Sequence, residues 1–298
     1  MSSEIYPNLF VLGAPKCGTT SVANWLRQHG EVFVPTSKEP HHFNVDHNFL
    51  VYKDEKDYLD LYRNANKQYA CDASVWYLYS KVAITNILHK RPDSKFIVCL
   101  RNPMDMALSL FLEQRYATNE HIADYFEAWK SSNDRRQGLK VSKWCREPLH
   151  LDYQSACLLG NQVSRLLASV ERDNVHFVFL DDLKKSPQQE LSKILRFLGL
   201  DYDNTVELTV ANIAKTVKYK HIKRFVRLLG ALRQFIPIKT KLGILNYFNK
   251  VNQTKLKSKP QLTDAQSLEI SQFYRDDIEH LSKLTGKDLS SWVAFKND

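Results

Sequence analysis

The stretch Gly13-Ala14-Pro15-Lys16-Cys17-Gly18-Thr19-Thr20-Ser21 gathers two glycines, a lysine and three hydroxyl side chains at one point of the chain. It follows the apolar run Leu9–Leu12 and precedes a helical pattern, Val22–Leu26. A glycine turn between a strand and a helix presents backbone N–H groups and the positive end of the helix dipole, which together hold a phosphate. In the loop of nucleotide kinases and ATPases, G-x-x-x-x-G-K-[ST], lysine comes directly after the second glycine. Here Thr19 stands there, and the positive charge has moved inside the loop to Lys16. The spacing predicts a phosphate-like ligand and argues against ordinary γ-phosphate chemistry.

A second cation stands at Arg101, directly after the apolar run Phe96–Leu100. Ligands of open α/β sheets sit beyond the carboxyl ends of the strands. A planar guanidinium at that place can grip a terminal phosphate through two hydrogen bonds, and the hydroxyl of Ser109, eight residues on, adds a third.

These segments, in this order, resemble the sulfotransferases that use 3′-phosphoadenosine 5′-phosphosulfate (PAPS). Pro15-Lys16-Cys17-Gly18-Thr19-Thr20-Ser21 is similar to their 5′-phosphosulfate loop, Lys38-Glu39-Pro40-His41-His42-Phe43 to their K-E-P-x-x-F segment, and Phe96–Pro103 with Ser109 to their 3′-phosphate site. Phe177–Leu183 and Arg196–Leu200 match further landmarks. The resemblance implies a P-loop-like three-layer α/β fold and PAPS as co-substrate, with no metal. Lys16, Cys17, Gly18, Thr19, Thr20 and Ser21 would bind the donor's 5′ end, with Lys16 also catalytic, and Arg101 and Ser109 its 3′-phosphate. Glu39 would be the base that takes the acceptor's proton, with His41 and His42 as second choices. Lys218 and Lys220 would contact phosphate from a late basic loop. The implied reaction is sulfuryl transfer to a hydroxyl or amine of a carbohydrate, glycolipid or small molecule. Two departures concern the acceptor side: Asn44 stands where heparan-modifying relatives carry an acidic residue, and Asp72-Ala73-Ser74-Val75 replaces an E-K-T-P-like segment. Asp72 and Ser74 either line the acceptor cleft or serve as strand-end and cap residues.

The elements that must position these groups follow a repeated strand-then-helix pattern, which favours one domain, 1–298, around a parallel sheet. Strands are expected at 8–13, 68–73, 95–100 and 175–180. Helices are expected at 19–29, 56–65, up to residue 88, 103–116, 153–171 and 186–198, with a helix and then an irregular charged segment over 121–150. Pro103 suits the first position of its helix.

With 298 residues, 43% of them hydrophobic, the chain can bury a large core. No leader-like or membrane-spanning apolar run stands out, and five cysteines without a C-x-x-C pair fit a reducing, cytoplasmic setting. The net charge of +9 has one source: residues 208–263 hold thirteen Lys or Arg and no Asp or Glu. Ile222, Phe225, Val226, Leu229 and Leu232 recur there at helical spacing among basic residues. Such a segment suits a cap facing an acidic acceptor or an anionic membrane, including the inner membrane face. No nucleic-acid recognition motif accompanies the charge, and no nucleic-acid partner is expected.

Two other function classes compete. A P-loop kinase or ATPase would use Phe177-Val178-Phe179-Leu180-Asp181 as a magnesium-binding strand, but Thr19 and Arg101 oppose it. A non-catalytic nucleotide-binding protein would keep the loop and have no use for Glu39.

Overall fold

The computed structural model describes residues 5–209, 215–217, 253–255 and 260–293. Five parallel strands form the main sheet: β1 (Leu9–Leu12), β2 (Val32–Phe33), β3 (Tyr69–Asp72), β4 (Lys95–Leu100) and β5 (Val175–Phe179). Their spatial order is β2-β3-β1-β4-β5, so β1 lies in the middle and the chain crosses over it between β3 and β4. β1 and β4 are apolar runs almost wholly removed from water, as strands covered on both faces must be. This is the P-loop-like α/β arrangement expected from the sequence.

The helices are α1 (Thr19–Gln28), α2 (Glu55–Asp60), α3 (Ala83–Lys90), α4 (Pro103–Tyr116), α5 (Tyr125–Lys130), α6 (Ser132–Arg136), α7 (Tyr153–Ala156), α8 (Leu159–Leu167), α9 (Leu180–Lys185), α10 (Pro187–Leu198), α11 (Asp264–Thr285) and α12 (Ser290–Val293). Pro103 opens α4 as expected. Three details differ from the sequence expectations. β2 is only two residues long, too short for an alternating pattern to register. The helix expected over 153–171 breaks between α7 and α8, and Leu180, expected to end a strand, instead begins α9.

The chain divides into two compact units. The first comprises residues 1–107, 155–211 and 264–298 and contains the whole main sheet. Within it α11 packs on α8. No side chain of its own caps the N-terminus of α8, but Asp277 of α11 accepts hydrogen bonds from the Gly160 and Asn161 N–H groups at 2.8 and 2.9 Å. A carboxylate there satisfies orphan amides and complements the helix dipole. Gly160 permits the approach, since a Cβ at that position would lie 2.4 Å from the Asp277 carbonyl oxygen.

The second unit comprises residues 108–154 and 212–263. Among its described residues Arg135 and Glu120 form a fully buried ion pair at 2.7 Å. Tyr153 donates its hydroxyl proton to Glu120 at 2.8 Å, and Arg135 donates to the Leu151 carbonyl at 2.8 Å. A short antiparallel pair, β6 (Lys215–Val217) with β7 (Gln253–Lys255), belongs to this unit.

Gly160→Ala is expected to cost about 1–3 kcal/mol through steric crowding, even though alanine is the better helix former by about 1 kcal/mol. Urea denaturation reads this as a lower midpoint. An unchanged midpoint would show that α8 and α11 tolerate the added methyl group.

Candidate active site

The glycine loop joins the end of β1 to α1. The Cys99 N–H donates to the Gly13 carbonyl at 2.9 Å and the Ala14 N–H to the Cys99 carbonyl at 2.7 Å, so the loop leaves the sheet bonded to β4. Gly13 is required by a close approach: a Cβ there would fall 2.0 Å from the Val75 carbonyl oxygen. Gly18 is required by conformation, with φ of 93° at the N-cap of α1. Lys16 also has a positive φ, 67°, which a lysine adopts only where its surroundings enforce it. The Ser21 and Val22 N–H groups turn back to the Gly18 carbonyl at 2.9 and 3.2 Å. Gly18, Thr19 and Thr20 supply the remaining first-turn amides, which have no intrahelical acceptor. The first turn of α1 carries no acidic residue that would repel an anion.

The other loop residues take different places. Cys17 is fully buried with its Sγ 3.5 Å from the Pro15 carbonyl oxygen and 3.8 Å from Met106 Sδ, and its N–H goes to the Ala14 carbonyl at 3.3 Å. Burial pushes its thiol up to about 12, so it is inert and gives a ligand no side-chain group. Ser21 is fully buried, Thr19 nearly so, and Thr20 is half-exposed.

Arg101 follows β4, beside β1. Its Nη1 donates to the Lys16 carbonyl at 3.3 Å, which ties it to the glycine loop. Its Nη2 lies 3.5 Å from Asp105, a long pair with an exposed carboxylate. Its Nε is buried and meets no acceptor among the described residues. An arginine held this way keeps donor capacity for an anion. Ser109 is half-buried on α4, in the second unit. Lys218, Lys220 and the helical pattern of 222–232 lie outside the described residues.

Glu39 sits in the long loop between β2 and α2. The Ala73 N–H donates to the Lys38 carbonyl at 2.9 Å, fastening this loop to the residue that follows β3. Gly13 abuts Val75 two residues further on. The glycine loop and the Glu39 loop therefore flank one short stretch, 73–75, at the carboxyl edge of β3 and β1. Glu39 is paired with Lys38 and accepts from His41 Nε2 at 3.3 Å. Burial raises its pKa, but the hydrogen bond from His41 and the charge and hydrogen bond of Lys38 outweigh that and leave it below the ordinary value. Glu39 is thus ionised at neutral pH and can accept a proton.

The two histidines separate clearly. The His41 ring is buried against Phe49 and Tyr77, with its Nδ1 unpartnered among the described residues. Its Nε2 faces Glu39, so it orients that carboxylate. His42 stacks on Tyr58 at 4.3 Å, and its Nδ1 donates to the Tyr52 carbonyl at 2.8 Å.

Asp72 and Ser74 do not line a cleft, because both are fully buried. Ser74 donates to Asp72 Oδ1 through its N–H at 3.0 Å and its hydroxyl at 2.6 Å; the Tyr58 and Tyr77 hydroxyls donate to Oδ2 at 2.9 and 3.0 Å. Sequence reasoning missed the two tyrosines and the part played by Lys38. The only available signal was that an acidic residue ends a strand otherwise expected to be apolar. Asn44 is buried and donates to the Phe49 carbonyl at 3.3 Å. Asp181 falls in the first turn of α9 and is exposed, rather than at the end of β5 where a magnesium-binding carboxylate would stand.

A glycine loop at the end of β1, an arginine at the end of β4 and an ionised carboxylate on the neighbouring loop make a P-loop-like arrangement without the kinase lysine. The chain belongs to the sulfotransferase domain family, whose model matches residues 6–285. Among curated proteins it is 23% identical over 207 residues to bifunctional heparan sulfate N-deacetylase/N-sulfotransferase 1 of Caenorhabditis briggsae, covering 67% of this chain and 23% of that protein. It is 25% identical to mouse carbohydrate sulfotransferase 15, covering 70% and 43%, and 28% identical to mouse heparan sulfate glucosamine 3-O-sulfotransferase 3B1, covering 66% and 47%. The chain thus spans less than half the length of these relatives. Among solved structures, a sulfotransferase from Alicyclobacillus acidocaldarius superposes with a TM-score of 0.70 at 22% identity, over 97% of this chain and all of that one, which shows the shared fold.

Proposed function

We propose that the protein transfers the sulfuryl group of PAPS to a hydroxyl or amine, with a carbohydrate as the favoured acceptor and a glycolipid or small molecule as the other candidates. The observation that carries this reading is the meeting of the glycine loop and the Glu39 loop on residues 73–75, with Arg101 bonded to the same glycine loop. The named activities of the curated relatives support sulfuryl transfer and a carbohydrate acceptor.

In this mechanism the amides of Lys16, Gly18, Thr19 and Thr20 and the hydroxyls of Thr19 and Thr20 hold the 5′-phosphate, while Arg101, with Ser109 as the sequence implies, takes the 3′-phosphate. Fixing both ends of the donor aligns the sulfur for in-line attack. The acceptor oxygen or nitrogen forms a bond to sulfur as the bond from sulfur to the phosphate oxygen breaks, and adenosine 3′,5′-bisphosphate leaves. Lys16 offsets the charge growing on the departing oxygen. The acceptor's proton passes to the Glu39 carboxylate, which His41 and Lys38 orient. The family match runs through both units and supports reading 1–298 as one catalytic domain. Contact of residues 208–263 with an anionic membrane remains part of the proposal on charge alone. Among the described residues no helix is long and apolar enough to cross a membrane. A cytoplasmic setting is supported by five free cysteines, four of them buried.

Calorimetry is expected to show adenosine 3′,5′-bisphosphate binding more tightly than AMP by roughly 2–4 kcal/mol, the scale of a lost charged contact. Equal affinities would remove Arg101 from the 3′-phosphate site. Turnover is measured with 35S-labelled PAPS on desulfated heparan and chondroitin chains. Lys16→Ala and Glu39→Gln should each slow it by about 100-fold, and Glu39→Gln should leave bisphosphate affinity nearly unchanged. Wild-type turnover in Glu39→Gln together with inactivity of His41→Ala would move the base to the histidine.

A further inference from the structure

Asp72 is an ionisable group with no access to solvent and no place in the reaction as derived so far. Its surroundings fix the direction of three of the four hydrogen bonds around it. Backbone N–H groups can only donate. The His41 N–H donates to Ser74 Oγ at 2.9 Å, and the His42 and Phe43 N–H groups donate to the Tyr77 hydroxyl oxygen at 2.9 and 3.3 Å. Each hydroxyl, acting as acceptor, has one proton left, and both deliver it to Asp72. With the Ser74 N–H, three donors are fixed on the carboxyl group and the Tyr58 hydroxyl makes a fourth bond to it; burial pushes its pKa up, and these hydrogen bonds oppose that rise by favouring the ionised form.

We propose that Asp72 is a positioning residue for the transfer: its buried carboxylate, acting through the Ser74 and Tyr77 hydroxyls, fixes three consecutive backbone amides, 41–43, and so holds the loop that carries Glu39. The inference rests on Glu39 being the base. Asp72 never touches the reactants, and its effect reaches them through His41, whose Nε2 meets Glu39. His41 has φ of 47°, a left-handed conformation that persists only when the surroundings over-determine it, and these bonds do so. A structural role in packing alone would require no charge here, because a buried carboxylate is costly beside an apolar group of the same shape. Tyr58 separates the two cases. Its hydroxyl donates to the same carboxylate, but among the described residues it bridges to no amide of the Glu39 loop.

The test compares Asp72→Asn, Ser74→Ala, Tyr77→Phe and Tyr58→Phe in the full chain. Three quantities are read: hydrogen exchange of the peptide spanning residues 38–44, affinity for adenosine 3′,5′-bisphosphate, and turnover of 35S-labelled PAPS with desulfated heparan. Ser74→Ala and Tyr77→Phe should each speed exchange of the tethered amides about tenfold, the effect of one lost hydrogen bond. They should lower kcat about tenfold while KM and nucleotide affinity stay within twofold. Tyr58→Phe should cause a smaller loss of kcat than Tyr77→Phe and little change in exchange. If Asp72→Asn fails to fold, the two hydroxyl variants decide the matter. Equal effects of Tyr58→Phe and Tyr77→Phe would reduce the network to packing and overturn the proposal, as would faster exchange with full turnover. Full turnover in Glu39→Gln would overturn the base reading and this inference with it. Normal dependence on Glu39 with fully active Ser74→Ala and Tyr77→Phe would overturn the tether alone.

Discussion

One buried carboxylate at the end of β3 sets the geometry of the reactive side of this protein. Asp72 receives four hydrogen-bond donors, and two of them are hydroxyls that in turn receive the amides of the Glu39 loop. A loop of some twenty residues between a two-residue strand and a short helix has little regular structure to hold it. The polar network supplies what a ladder of strand bonds would otherwise supply, and the low dielectric around it strengthens each bond. Further along, Ser80 donates to Asp46 of the same long loop at 2.5 Å, and its Oγ receives the Ala83 N–H at 3.0 Å where α3 starts.

The sheet topology then brings the separate parts together. β1 and β4 are neighbours in register from Leu9 with Lys95 to Leu12 with Val98, which puts the glycine loop and Arg101 side by side. β3 flanks β1 on the other side, which puts the Glu39 loop opposite them. Lys16 and Arg101 stand together at the glycine loop, and on the other loop the hydrogen bond from His41 and the charge of Lys38 outweigh burial and keep Glu39 ionised.

Much of this was legible in the chain. The glycine loop, the apolar runs of β1 and β4, Pro103 opening α4 and Arg101 after β4 are local patterns with local causes. The necessity of Gly13 was not legible, because it arises from the Val75 carbonyl, more than sixty residues away in sequence. Nor was the function of Asp72, since a buried acid reveals its partners only when the hydroxyls of Tyr58 and Tyr77 are brought to it by the fold. Cys17 looks like a loop contact by position, but its side chain turns to Met106. Asp181 looks like the acid at a strand end; the chain turns into α9 one residue earlier and carries it to the surface. In each case the deciding contact is long-range, and periodicity cannot report it.

The central claim is that the loop without the kinase lysine handles sulfuryl rather than phosphoryl groups. Its most direct test is to incubate the protein with 35S-labelled PAPS or with γ-32P-labelled ATP and a pool of desulfated carbohydrate chains, and to count the label retained on the chains. The account predicts retained 35S and no retained 32P; retained 32P without 35S would contradict it.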